Sequence, residues 1–249
     1  MYRLIWFQHL HKAAGTLVVN LARANGEVLY PNNANGNPQD DDGNRIELWK
    51  YTAGELHSFI NECEDKGVTF VATEHGSPDF QTLYDDDRIV LLTTLREPYS
   101  RALSNYNYAY FAGYTDSRDL SEFLEENRIF MSDNYYVRSF ARKERFPLEG
   151  LSEEDFENAL AAVSLFDLVL IVGRDDLKSR LVEELGWEDQ SVDSHSTYGD
   201  FWNVWNMLKK GRVLRVVRYL LRKNAPGDIA LLNKRYDFDI RLLEGISGK

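Results

Sequence analysis

The sequence predicts an α/β fold in which a central parallel sheet is flanked by helices on both faces. Short apolar runs alternate with helical patterns along the chain, as in strands joined by crossover helices. Two of those runs, Arg88 to Leu95 and Leu168 to Gly173, are continuously apolar and β-branched, as strands buried on both faces are. The chain has 249 residues, 43% hydrophobic and 28% charged, which suits one globular domain spanning 1–249, without repeats or an interdomain linker.

Taken in order, Leu4-Ile5-Trp6-Phe7 opens as a strand, and Leu17 to Ala24 continues as a helix. Residues 31–44 are polar with turn formers throughout and read as loop. The Asp40-Asp41-Asp42 run lacks calcium-loop spacing, because Pro38 falls at the first ligand position. Thr52-Ala53-Gly54-Glu55 is a capping box. It starts a helix whose apolar face is Leu56, Phe59, Ile60 and Cys63, ended by Lys66-Gly67. Val68 to Thr73 is a strand running into Glu74-His75-Gly76. Arg88 to Leu95 ends at Arg96-Glu97-Pro98, with Pro98 as the first residue of a helix reaching Tyr110. Asp119–Asn127 and Asn134–Arg142 read as shorter helices, and Ser152-Glu153-Glu154-Asp155 starts another. After the strand at 168–173 a helix runs from about Asp175 to Leu185. The remainder is helical, broken at Pro226-Gly227.

In parallel sheets ligands bind beyond the carboxyl ends of the strands. Four strands end in Lys12, Glu74-His75, Arg96 and Gly173-Arg174, which are therefore expected to converge on one crevice. The segment around Lys12-Ala13-Ala14-Gly15-Thr16 runs strand, small-residue loop, helix. That order suits an anion: small residues let backbone N–H groups approach it, the helix start adds partial positive charge, and lysine adds a full one. It is not a Walker A loop, since the first glycine and the Gly-Lys-Ser/Thr ending are missing. An ordinary strand–helix turn is the competing reading. Arg96 at a strand end and Ser104 on the next helix can together grip a second phosphate, where the plain alternative is a surface arginine and a helical serine.

Taken together, these two stretches resemble the sulfotransferases that use 3′-phosphoadenosine 5′-phosphosulfate (PAPS), in the branch of the heparan sulfate 2-O-sulfotransferases and the chondroitin/dermatan sulfotransferases. That branch opens with a His-Ile-Pro-Lys-Thr-Gly/Ala-Gly-Thr loop. His9, Lys12, Ala14, Gly15 and Thr16 fit it, while His11 replaces the proline and Ala13 the threonine. Arg96, Pro98, Arg101, Ser104 and Tyr106 follow the second motif in order and spacing, with Glu97 for aspartate. Asn134 to Arg138, Phe166 to Gly173, and Leu232-Asn233 through Asp239 to Leu242 resemble later family motifs. The resemblance implies a P-loop-like three-layer fold and PAPS as co-substrate. It further implies cofactor contacts from Lys12, Ala13, Ala14, Gly15, Thr16 and Leu17 at the 5′ end, from Arg96 and Ser104 at the 3′-phosphate, and from Arg138. The expected reaction is transfer of a sulfuryl group to a hydroxyl of a carbohydrate or glycoconjugate.

In that scheme Lys12 offsets charge on the leaving phosphate, the N–H groups of Ala13 to Thr16 hold it, and no metal is needed. His75 follows the second strand, where the branch places its basic histidine. Glu74 is the rival base, as a carboxylate whose pKa is raised among apolar strand residues. His9 is expected to orient or pack, His11 to meet substrate, and His57 and His195 to lie on the surface. A non-catalytic PAPS-binding module and a kinase-like phosphotransferase are the alternative functions.

The net charge of −11 argues against nucleic-acid binding. The single cysteine, Cys63, excludes an intrachain disulfide and is expected to be buried packing. With no signal-peptide pattern or apolar anchor, a cytoplasmic location is expected. Residues 209–223 hold seven basic and no acidic residues among leucines and valines. The readings are a solvated helix face, contact with an anionic acceptor, or peripheral docking on an anionic membrane.

Overall fold

The computed structural model describes residues 2–126, 130, 132–145, 147–192, 201–221 and 229–247. Its centre is a four-stranded, all-parallel sheet of β1 (Leu4–His9), β4 (Phe70–Thr73), β5 (Ile89–Arg96) and β6 (Leu168–Val172), in the order β4-β1-β5-β6. The chain passes from β1 to one neighbour, β4, and then across to the other, β5, so the winding reverses around β1. Register aligns the carboxyl ends: Gln8 pairs with Thr73, His9 with Thr94, and Arg96 with Val172. The segments after β1, β4 and β5 therefore leave the sheet side by side.

Each strand is buried on both faces, and successive side chains enter different layers. Ile5, Phe7, Phe70, Leu92, Leu168 and Leu170 pack under α1 (Gly15–Ala24) and α8 (Leu177–Leu185). Leu4, Trp6, Val71, Leu91, Leu95 and Ile171 pack under α2 (Ala53–Asp65), α6 (Tyr135–Phe140), α7 (Glu153–Val163) and α12 (Asp237–Ser247). This gives the expected three layers. A further cluster lies beyond the sheet. Its main members are Tyr106 and Tyr110 from α4 (Pro98–Ala112), Phe123 from α5 (Leu120–Leu124), Met207 from α9 (Phe201–Lys209), Val216 from α10 (Val213–Leu221), Leu232 from α11 (Ile229–Arg235), and Tyr236.

Local signals fix several boundaries. Thr52 and Glu55 form the capping box of α2, and Ser152 and Asp155 form one for α7. Pro98 is the first residue of α4, and Glu97 caps it by accepting from the Tyr99 and Ser100 N–H groups at 2.8 and 2.7 Å. Cys63 is fully buried in α2, whereas the His57 side chain is half exposed beside Asp86. The polar loop at 31–44 is more ordered than its composition suggests. It holds a small antiparallel pair, β2 (Asn33–Ala34) and β3 (Asn37–Pro38), closed by a bridge between Gln39 and Arg45. Turn-forming residues end chain segments, but here they also cap a hairpin that folds back against β4, with Ala72 N–H donating to Gly36 C=O at 2.9 Å. His195 and the Pro226-Gly227 break lie outside the described residues.

One polar link positions the end of β5. Asp239, fully buried, accepts from the Tyr136 and Val137 N–H groups at 3.2 and 3.0 Å, satisfying the open start of α6. The Tyr136 hydroxyl in turn donates to Arg96 C=O at 2.6 Å and accepts from Arg96 N–H at 2.9 Å. Asp239→Ala is expected to lower stability by about 3 kcal/mol in urea unfolding, because two backbone donors lose a buried, charged acceptor. A loss below about 1 kcal/mol would show that the helix start is satisfied in another way.

Candidate functional site

The β1–α1 loop carries the geometry of an anion cradle. Lys12 and Ala14 both adopt left-handed backbone, φ 65° at each, which costs energy outside glycine and turns successive N–H groups toward one side. Among the described residues the N–H groups of Ala14, Gly15 and Thr16 have no hydrogen-bond acceptor, and Ala14 caps α1 without a side-chain bond. The cradle is smaller than expected at both ends. Ala13 N–H donates to Leu10 C=O at 3.1 Å, and Leu17 N–H donates to Ala14 C=O at 3.0 Å. Ala13 is buried, its carbonyl accepting from the Thr94 hydroxyl, and Leu17 packs on the α1 layer. These two backbone donors are therefore used within the fold rather than offered to a ligand.

Gly15 is required by its neighbour. A Cβ there would fall 1.8 Å from His9 Nε2, and the His9 ring is held flat against Phe7 at 5.4 Å. Gly15→Ala is expected to cost about 1–3 kcal/mol by overpacking, measured by denaturant midpoint, and far less in a His9→Ala background. Equal costs in both backgrounds would remove the ring as the cause.

Lys12 places its Nζ 4.2 Å from the centre of the Tyr108 ring. Burial pulls its pKa down to about 8. The Glu74 carboxylate opposes that shift, and the Arg96 charge, close enough to be felt, adds to it. Lys12 and Arg96 thus share one edge of the sheet, as the register requires. Ser104 is half-buried and lies one turn before Tyr108 on α4, so it occupies the helix face that Tyr108 turns to Lys12.

Glu74 is the hub of the opposite wall. Its Oε1 is 2.9 Å from His11 Nδ1, and its Oε2 is 3.6 Å from His9 Nδ1 and 3.9 Å from His75 Nε2. Burial would raise the Glu74 pKa, but the His11 hydrogen bond and the three imidazoles outweigh it and hold the carboxyl down at about 2. The raised pKa expected for Glu74 is thus reversed: the apolar strand residues are there, but three histidines converge on the carboxylate. His11 Nε2 faces Asn105 Oδ1 at 3.1 Å, an orientation fixed because Asn105 Nδ2 donates to Phe130 C=O at 3.3 Å. Both His11 nitrogens therefore face oxygen acceptors, and its ring stacks on Phe130 at 4.3 Å.

His75 differs from its two partners. Its side chain is 29% exposed, more than that of His9 or His11, and unlike His11 it makes no hydrogen bond to Glu74. Burial lowers its pKa to about 4; Glu74 opposes the shift, and Arg45 reinforces it. The ring is accordingly neutral at pH 7. His9 is buried and its pKa is lowered by that burial, which fits an orienting and packing residue.

One residue of the site was not expected from the sequence, and one expected residue is not there. Arg45 was missed: it reaches the site from the far end of the hairpin and lines a small recess with Asn37, Trp49, Glu74 and His75. No local motif marks it, since its place depends on a bridge six residues back. Arg138 was expected at the cofactor but is buried and committed elsewhere. Its guanidinium pairs with both oxygens of Asp133, at 2.9 and 3.0 Å, and donates to Glu149 C=O at 2.9 Å. An acid five residues earlier satisfies it, leaving no fork for a phosphate.

Among the described residues no cluster of His, Cys, Asp and Glu is arranged to hold a metal ion, and no helix is long and apolar enough to cross a membrane. No family model matches this chain, and neither does any curated protein.

Proposed function

We propose that the crevice binds PAPS and transfers its sulfuryl group to a hydroxyl of a carbohydrate acceptor. One observation carries the reading. Lys12, in a loop of open N–H groups just after β1, stands beside the end of the paired strand β5, where Arg96 is the last residue and Ser104 follows on α4, while Glu74 and His75 follow β4 on the other side of β1. Two anion grips beside a neutral imidazole are what transfer from a doubly phosphorylated nucleotide requires.

In this mechanism the Ala14, Gly15 and Thr16 N–H groups hold the 5′-phosphate, and Arg96 with Ser104 holds the 3′-phosphate. His75 accepts the proton of the attacking hydroxyl as its oxygen bonds to sulfur. The bond from sulfur to the bridging phosphate oxygen breaks, and Lys12 stabilises the charge left on that oxygen. Glu74 holds His11 by a hydrogen bond, His9 packs on Phe7 behind it, and together they build the wall in which His75 sits. The partly exposed rings of Tyr108 and Tyr114 offer faces on which a sugar or the adenine can stack.

Calorimetry with adenosine 3′,5′-bisphosphate is the test. Binding is expected, weakened about tenfold or more by Arg96→Ala. No binding overturns the reading. Binding without turnover of PAPS across a panel of hydroxyl acceptors would leave a nucleotide-binding module and remove the transfer step.

A further inference from the structure

The α10 helix is mounted with Arg215 turned inward. Arg215 donates from Nη1 to Tyr110 C=O at 2.8 Å and from Nη2 to Thr115 C=O at 3.0 Å, and it pairs with Asp116. The Tyr110 hydroxyl donates back to Arg215 C=O at 3.1 Å. Val216 is the apolar residue of this helix that is buried with Tyr110 and Met207. Leu214, 76% exposed, and Leu220, 68% exposed, face solvent with Val213 and Val217. Trp205 and Leu208 on α9 are exposed as well. Among the described residues, most of the large apolar side chains left exposed belong to this one stretch. An amphipathic helix normally turns such a stripe to the core, and a concentrated exposed patch marks a contact surface.

The charge around the patch identifies what covers it. Lys209, Lys210 and Arg212 are exposed at its border, and residues 209–223 contain no acid in a chain of net charge −11. We infer that this face lies in the plane of an anionic lipid surface. The apolar side chains enter the boundary between headgroups and acyl chains, and the three cations meet lipid phosphates. A twofold pairing with a second copy would press two sets of Lys209, Lys210 and Arg212 together, which like charge opposes. A soluble anionic glycan would engage the cations and leave Leu214 and Leu220 in water. The inference stands apart from the nucleotide crevice and does not depend on it.

Co-sedimentation with vesicles tests it. Binding is expected to vesicles of phosphatidylcholine mixed with phosphatidylserine, at least about tenfold stronger than to phosphatidylcholine alone, and weakened by salt. The Leu214→Asp/Leu220→Asp variant is expected to lose binding with an unchanged thermal midpoint. Lys209→Glu/Lys210→Glu is expected to lose the preference for anionic vesicles. No binding to anionic vesicles overturns the inference. So does a dimer in light scattering that Leu214→Asp/Leu220→Asp dissolves, or heparin binding that survives that variant while vesicles are not bound.

Discussion

In the proposed sulfuryl transfer, Lys12→Ala is expected to lower kcat about 10²–10³-fold, the usual cost of removing one preorganised group aimed at developing charge. The fold is expected to survive, because the loop is held by Thr94 on the Ala13 carbonyl and by the Ala13–Leu10 hydrogen bond, neither of which uses the lysine side chain. A pH profile gives an independent readout. Burial, with the nearby Arg96 charge adding to it, lowers the Lys12 pKa from 10.5 to about 8. In the proposed step the protonated amine is the form that stabilises the leaving phosphate, so kcat/KM is expected to fall as pH rises through about 8. Lys12→Arg should move that limb well upward, because guanidinium stays charged. In kcat the limb should also move upward, since a bound anion favours the ammonium. Full turnover in Lys12→Ala, or an unchanged basic limb in Lys12→Arg, would remove the lysine from the leaving-group role.

The frame around these residues was legible in the sequence because it is set locally. Continuous apolar runs gave the strands on either side of the crevice, and capping residues such as Thr52, Ser152 and Glu97 gave helix starts. A parallel sheet then obliges Lys12, Glu74 and Arg96 to share an edge. What was not legible depends on which side chain meets which. The carboxylate of Glu74 looks apolar-surrounded along the chain, yet in space His9, His11 and His75 reach it from two different strand ends. Arg45 joins them from a hairpin whose polar composition signals only turns. Arg138 was weighed by its place in a motif, when the acid at Asp133 already accounted for it. The outward stripe of α10 was visible as a pattern, but which way it faced was decided by Arg215 and the carbonyls of Tyr110 and Thr115.

His75→Ala is expected to lower kcat about 10²–10⁴-fold, the range for loss of a positioned general base. The three histidines at Glu74 do not compete equally for that role. His9 is sealed behind Gly15 and Phe7, and His11 is engaged at both nitrogens, by Glu74 and by Asn105. His75 is neutral at pH 7 and is the most exposed of the three. Its pKa is lowered from 6.5 to about 4, so protonation removes the base only as pH falls through about 4. The acidic limb of kcat/KM is therefore expected near 4, below the ordinary histidine value. Glu74→Gln separates the rivals. Without the carboxylate, burial and the Arg45 charge act on His75 unopposed, so its pKa should fall further and carry the acidic limb down with it. If Glu74 were the base, Glu74→Gln would instead abolish turnover and the limb together, while His75→Ala would retain both. Retention of full kcat in His75→Ala would pass the proton to Glu74, whose value near 2 would have to be lifted by the arriving acceptor.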